Sequence, residues 1–224
     1  MSPPEGYPEA VLLDLDGTLV DTEPYWMAEE HALVAAYGGH WTDDDARAVV
    51  GNALPVSASY IASVGGVPLP PAEIVELLLD GVVARVRERV PWRAGALELL
   101  ADLRTVGVPA AVVTMSYRRL ADAVLAAVPA GSVAAVVAGD EVREGKPHPE
   151  PYLVAADRLG ADPRRCVALE DSPTGVASAE AAGCVTVVVR GVVEVPEAPG
   201  RHRVDSLTEL TADALARLVR DRRT

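Results

Sequence analysis

The chain has 224 residues, a formal net charge of −13 and 50% hydrophobic residues, with 4% aromatics and no phenylalanine. That length suits one large domain, or a domain with an insert, and the core must be built from Leu, Val, Ile and Ala. The negative field repels nucleic acid and anionic membranes, which excludes both as partners.

The two cysteines, Cys166 and Cys184, lie inside apolar, strand-like runs. They read as small core residues in a reducing compartment, with no disulfide framework. The first ten residues, "MSPPEGYPEA", have neither a basic nor an apolar leader region. No apolar run approaches the ~18 residues of a membrane span, so a cytoplasmic protein is expected.

Taken in chain order, short β-branched runs recur at 10–16 (AVLLDLD), 109–115 (PAAVVTM), 133–139 (VAAVVAG), 165–171 (RCVALED) and 184–190 (CVTVVVR). Amphipathic helical segments at 95–107, 118–128, 149–160 and 175–183 alternate with them. Continuous apolar strands alternating with helices predict a parallel sheet covered on both faces. The stretch between the first strand and the helix at 95 is too long for a structureless loop and reads as helices. One helix begins around Pro24, a second is capped by Thr42, and a third follows Pro55. A fourth carries Ile74, Leu77, Leu78, Val82 and Val86 on one stripe. The expected organisation is therefore a core at 1–19 and 90–224 with a helical insert at 20–89. The tail "TADALARLVRDRR" reads as a final helix whose arginines suit its C-terminal dipole.

Ligands of open parallel α/β sheets bind beyond the carboxyl ends of the strands. Here the first strand ends in Asp14-Leu15-Asp16, the second in Thr114, and the fourth in Glu170-Asp171. The loop after the third carries Lys146, the only lysine of the chain. Two like charges ~4 Å apart cost ~4 kcal/mol at an effective dielectric near 20, so such a crowd needs a cation or a proton. Hard oxygen ligands without His or Cys suit Mg²⁺. A carboxylate held against Mg²⁺ and an ammonium can approach a phosphoryl group, and aspartate is a nucleophile in that chemistry. An all-arginine background makes a lone lysine meaningful, because its compact, rotatable head differs from a guanidinium.

These residues carry a family resemblance. "DLDGT", "VVT" ending at Thr114, "GKPHPEPYL" and "LEDSPTGVASAEAAG" resemble, in order, the four motifs of the haloacid dehalogenase-like hydrolase superfamily, in its β-phosphoglucomutase-like phosphatase subgroup. The inserted helices resemble its cap domain, and the likeness covers nearly the whole chain. It implies an α/β fold with a Rossmann-like parallel sheet, helices on both faces and an α-helical cap.

The resemblance also implies roles. Asp14 would be the nucleophile and a Mg²⁺ ligand. Asp16 would be the general acid/base, giving its backbone carbonyl to the metal. Thr114 would hydrogen-bond the phosphoryl oxygens, and Lys146 would pair with the nucleophile and the phosphoryl group. Asp171 would bind Mg²⁺ directly and Glu170 directly or through water, with Ser172 and Gly175 shaping the metal side. The implied activity is hydrolysis of a small phosphorylated metabolite through an aspartyl phosphate, by a monomer.

Related chemistries fit less well. Dehalogenases of the superfamily lack an acid/base at the position of Asp16, and phosphonate hydrolases use a cap lysine that this insert does not have. A β-phosphoglucomutase-type mutase needs basic cap residues, yet 49–60 (VVGNALPVSASY) has no positive charge and Arg47 is the nearest. A non-catalytic phosphate- or metal-binding module would have lost one of these residues, and all are present. "GDEVREGKP" resembles a P-loop only loosely, since its spacing is one residue too long. His31 and His40 are expected to be ordinary polar positions of the insert, and His148, between prolines, to face solvent. Tyr25 and Trp26 either stack on substrate or anchor the insert's own core.

Overall fold

The computed structural model describes residues 3–50 and 52–221. Gly51, inside the arginine-free stretch 49–60, and Arg222 and Arg223 of the tail helix lie outside the described residues.

The apolar runs form β1 (Val11–Leu13), followed after the insert by α5 (Ala96–Val106), β2 (Ala110–Val113), α6 (Arg118–Leu125), β3 (Ala135–Val137), α7 (Glu150–Leu159), β4 (Val167–Glu170), α8 (Pro173–Ala181), β5 (Val185–Val189), β6 (His202–Val204) and α9 (Ala212–Asp221). The insert contributes α1 (Glu23–Ala36), α2 (Asp43–Val49), α3 (Leu54–Val64) and α4 (Pro71–Glu88). Among the described residues six strands form one parallel sheet, in the order β3-β2-β1-β4-β5-β6. The order reverses at β1, so the crevice for a ligand opens beside the end of β1.

Alternation along the strands divides the core into two layers. Leu12, Ala111, Val113 and Ala168 face α7 and α8 and pack with Tyr152, Ala155 and Ala179. On the other side α5 contacts β2 and α9. With no Phe available, Tyr152 is the largest fully buried side chain. Strand β6 has no counterpart among the sequence expectations, because "HRV" has no apolar run. An edge strand pairs on one side only, so charged residues are tolerated there.

The chain divides into two compact units, Asp21–Pro91 and the remainder. Within the insert, Thr42 caps α2 through a capping box with Asp45, whose N–H donates to Thr42 Oγ1 at 3.2 Å while Thr42 N–H donates to Asp45 Oδ2 at 2.9 Å. The apolar stripe of α4 differs from the expected one. Ile74, Val75, Leu78, Leu79, Val82, Val83 and Val86 are buried, whereas Leu77 is 43% exposed. The stripe is centred on 78, 82 and 86, with 75, 79 and 83 on one flank, which turns position 77 outward. Trp26 is buried, and the Tyr25 hydroxyl donates to the Arg89 carbonyl at 3.0 Å. His31 pairs with Asp43 at 3.2 Å. Among the described residues no helix is long and apolar enough to cross a membrane.

Candidate active site

Parallel register brings the site together. Leu13 lies level with Val112 on one side and Leu169 on the other, so the next residue, Asp14, emerges beside Val113 and Glu170. The Asp14 N–H donates to the Leu169 carbonyl at 3.0 Å, which continues the ladder one step past β1. Thr114 extends β2 in the same way, its N–H bonded to the Val137 carbonyl at 2.9 Å.

Lys146 reaches this floor from the loop after β3, and its side chain is only 4% exposed. An ammonium has three protons, and all three find acceptors. Nζ donates to Asp14 Oδ1 at 2.7 Å, Glu170 Oε1 at 2.5 Å and the Val113 carbonyl at 2.9 Å. Burial alone would lower the lysine's pKa; Asp14 and Glu170 reverse that, and the net shift is upward, so it stays charged. Its loop is braced from below. Ser178 donates to the His148 carbonyl at 2.6 Å, and the Arg143 and Glu144 N–H groups donate to Glu150 at 2.9 and 3.1 Å. The imidazole of His148 is exposed, and its Nδ1 accepts from Glu150 N–H at 3.2 Å.

Glu170 is fully buried and heavily bonded. Besides Lys146, its Oε1 accepts from the Tyr152 hydroxyl at 2.7 Å, while Oε2 accepts from Ser172 Oγ at 3.1 Å. Ser172 is also the N-cap of α8, accepting from Gly175 N–H at 3.1 Å. One short side chain therefore starts a helix and holds a carboxylate.

Asp14, Glu170 and Asp171 each offer an oxygen, and these oxygens lie within 4.8 Å of one another. Three carboxylates against one buried ammonium leave a surplus of two negative charges. The consequences are visible in the protonation. Burial pushes the Asp14 carboxyl well above its ordinary range; Lys146 pulls it back, and Glu170 and Asp171 push it up again. Burial, then Glu170, lifts Asp171 to about 7 against the pull of Lys146 and Arg93. Asp14 Oδ2 is buried without a hydrogen-bond partner. An acceptor left bare beside two further carboxylates fits a hard divalent cation, whose two charges match the surplus. The donor set thus fits the magnesium that the sequence motifs imply.

Asp16 stands outside this group of three. Its Oδ2 accepts from the Thr114 hydroxyl at 3.0 Å, and that hydroxyl in turn accepts from Ser116 N–H at 2.9 Å. Thr114, expected to face a phosphoryl group, thus has its single proton on Asp16 here. Tyr152 and Arg93 belong to the site without having been singled out from the sequence. Tyr152 sits inside "GKPHPEPYL" but reads there as one apolar position of a helix. The Arg93 guanidinium donates to the backbone carbonyls of Gly17 at 2.7 Å and Arg190 at 2.6 Å. A cavity of about 580 Å³ lies along the ends of β5 and β6, lined by Arg190, Gly191, Val195, Arg203 and Asp205, of which Arg190 carries the carbonyl bound by Arg93. It includes none of the sequence-expected site residues.

A family model of haloacid dehalogenase-like hydrolases matches residues 8–183. The chain belongs to this family. It is 34% identical over 199 residues to hexitol phosphatase A of Escherichia coli, covering 83% of this chain and 84% of that one. It is 32% identical to N-acetylmuramic acid 6-phosphate phosphatase of Pseudomonas aeruginosa, covering 90% of each. Among solved structures it resembles a CbbY variant from Rhodobacter sphaeroides in complex with xylulose-1,5-bisphosphate, with a TM-score of 0.81, 30% identity, and coverage of 91% of this chain and 96% of that chain.

Proposed function

We propose that this hydrolase is a magnesium-dependent phosphatase that cleaves a small phosphorylated metabolite of the sugar-phosphate class through an aspartyl phosphate on Asp14. The observation that carries this reading is the asymmetry of Asp14: Oδ1 is bonded to Lys146 at 2.7 Å, while the buried Oδ2 has no hydrogen-bond partner. A carboxylate stripped of water and held beside an ammonium is a competent nucleophile toward phosphorus. Lys146 pulls the Asp14 carboxyl back toward ionisation, a bound cation would complete that pull, and the ammonium offers positive charge to the incoming phosphoryl oxygens. Asp16 gives a proton to the leaving alkoxide, then takes one from the water that hydrolyses the aspartyl phosphate. Thr114 is the hydroxyl donor to the phosphoryl group, which requires its proton to turn away from Asp16. Asp14 and Asp171, with Glu170 and the Asp16 carbonyl as further oxygen donors, would hold magnesium, which would supply charge stabilisation of the transferred group. The inserted helical unit serves as the cap, and the protein acts as a cytoplasmic monomer.

The sugar-phosphate class follows from relatives whose own names carry a hexitol phosphatase, a sugar-acid 6-phosphate phosphatase and a complex with a ketose bisphosphate. The mutase alternative needs a free basic clamp on the insert, and the nearest candidate, Arg47, is paired with Asp44.

Release of phosphate from p-nitrophenyl phosphate and from a panel of hexitol and aldose phosphates tests the assignment. EDTA should abolish turnover and Mg²⁺ restore it. Asp14→Asn should keep the fold and lower kcat by at least ~10³-fold, because an amide cannot form the acyl phosphate. Full turnover after chelation, or in folded Asp14→Asn, would sink the mechanism.

A further inference from the structure

The carboxylate of Asp171 sits where two loops leave no room for a side chain. Gly17, after β1, has φ +87°, and a Cβ on it would fall 2.1 Å from Asp171 Oδ2. A Cβ on Gly191, after β5, would fall 2.5 Å from the same oxygen. Bare backbone from two loops therefore closes on one carboxylate oxygen. The strands that carry these loops are not neighbours, because β4 lies between β1 and β5. No ladder hydrogen bond joins β1 to β5 to fix the gap between the loops.

Arg93 spans that gap. Its Nη1 donates to the Gly17 carbonyl at 2.7 Å, and its Nη2 donates to the Arg190 carbonyl, in the peptide that leads into Gly191, at 2.6 Å. Its own N–H donates to the Leu19 carbonyl at 2.9 Å, which ties it to the loop after β1 a second time. A guanidinium is planar and rigid, so the separation of two carbonyls bound by its two ends is set by covalent geometry.

We propose that Arg93 is a positioning residue that clamps the loops after β1 and β5 onto Asp171 and so fixes this carboxylate for a divalent cation. The inference deepens the proposed function and rests on its metal. Partners of metal ligands typically contribute about 10–100-fold in metal affinity.

The test is Mg²⁺ titration by calorimetry on the full chain, without substrate, beside steady-state kinetics with p-nitrophenyl phosphate. Arg93→Lys keeps the charge, but one ammonium cannot hold both carbonyls at the fork's spacing. Its Mg²⁺ affinity should fall about 10-fold, with the half-saturating Mg²⁺ for turnover rising in step. At saturating Mg²⁺ its kcat should return to within about 2-fold of wild type with KM unchanged, as a loosened ligand predicts. Gly191→Ala attacks the same seat from the other side with Arg93 intact and should weaken Mg²⁺ comparably. Arg93→Gln, whose short amide cannot bind both carbonyls, decides the matter if Arg93→Lys does not fold.

Wild-type Mg²⁺ affinity in any of these folded variants overturns the clamp. So does a loss of kcat that Mg²⁺ cannot recover. A wild-type protein that binds no Mg²⁺ overturns the metal reading and the clamp together, which separates the two failures.

Discussion

Two buried glutamates, one in each unit, meet opposite fates. Glu170, at the end of β4, is 0% exposed and accepts from Lys146, Tyr152 and Ser172. Glu30, in α1 of the insert, is 5% exposed, and its hydrogen bond is a single long one from Trp41 Nε1 at 3.3 Å. Burial, only partly offset by that bond, pushes the Glu30 carboxyl up to about 7. A buried carboxylate is costly unless it is paired and bonded. The core surrounds its glutamate with an ammonium and two hydroxyls, whereas the insert leaves its own to take up a proton. The contrast lies in the bonding: three donors converge on the core acid and one long bond reaches the insert's.

The largest expected effect comes from removing the core's counter-charge geometry. Lys146→Arg keeps the charge but replaces a compact head, bonded on all three protons, with a planar fork. It should lower kcat by at least about 100-fold and destabilise the fold, since the fork cannot reproduce the three bonds of the ammonium in the same buried space. Wild-type turnover in this variant would mean that the lone lysine is an accident of composition. Tyr152→Phe is gentler. It leaves the ring in the core and removes one of the donors to Glu170. A net hydrogen bond to a charged group is worth about 1.5–3 kcal/mol, of which only part is expressed in the transition state, so a kcat loss of about 5–10-fold is expected. If Tyr152→Phe matches wild type in kcat and in Mg²⁺ requirement, the tyrosine is a space-filler and the contrast between the glutamates weakens.

The contrast also explains what could be read from sequence. Asp14, Asp16, Thr114, Glu170 and Asp171 were legible because each ends an apolar run, and a parallel sheet gathers run ends at one edge. Lys146 was legible by its uniqueness. Arg93 was not, because its acceptors are backbone carbonyls 76 and 97 residues away, and no residue type advertises a carbonyl. The Tyr152 hydroxyl was hidden because its reach to Glu170 depends on how α7 seats on the sheet, while its ring satisfies the helix pattern as any apolar residue would. Strand β6 escaped for the reverse reason: backbone pairing alone makes it a strand. Leu77 and Glu30 are two sides of one problem. Helical periodicity gives a stripe's existence more reliably than its centre, so an apolar residue at its rim turns out and an acid turns in.

The smallest effect isolates the insert. Burial holds the Glu30 carboxyl up at about 7 in the folded chain, against an ordinary glutamate value near 4.5. Below about pH 4.5 both folded and unfolded chains hold the proton, and the group is neutral toward stability. As pH rises towards 7 the unfolded chain gives up its proton first, so this group's contribution moves against folding, and the cost is fully present above about 7. Glu30→Gln cannot titrate, and its carbonyl can still accept from Trp41. Urea denaturation should therefore find Glu30→Gln more stable than wild type by about 1 kcal/mol at pH 8, with the two converging near pH 4.5. Hydrogen exchange at the α1 and α2 amides would locate the gain in the insert. A wild-type advantage at pH 8 would mean that the Glu30 carboxylate is well bonded in the folded chain, and the contrast in bonding between the two glutamates would fall.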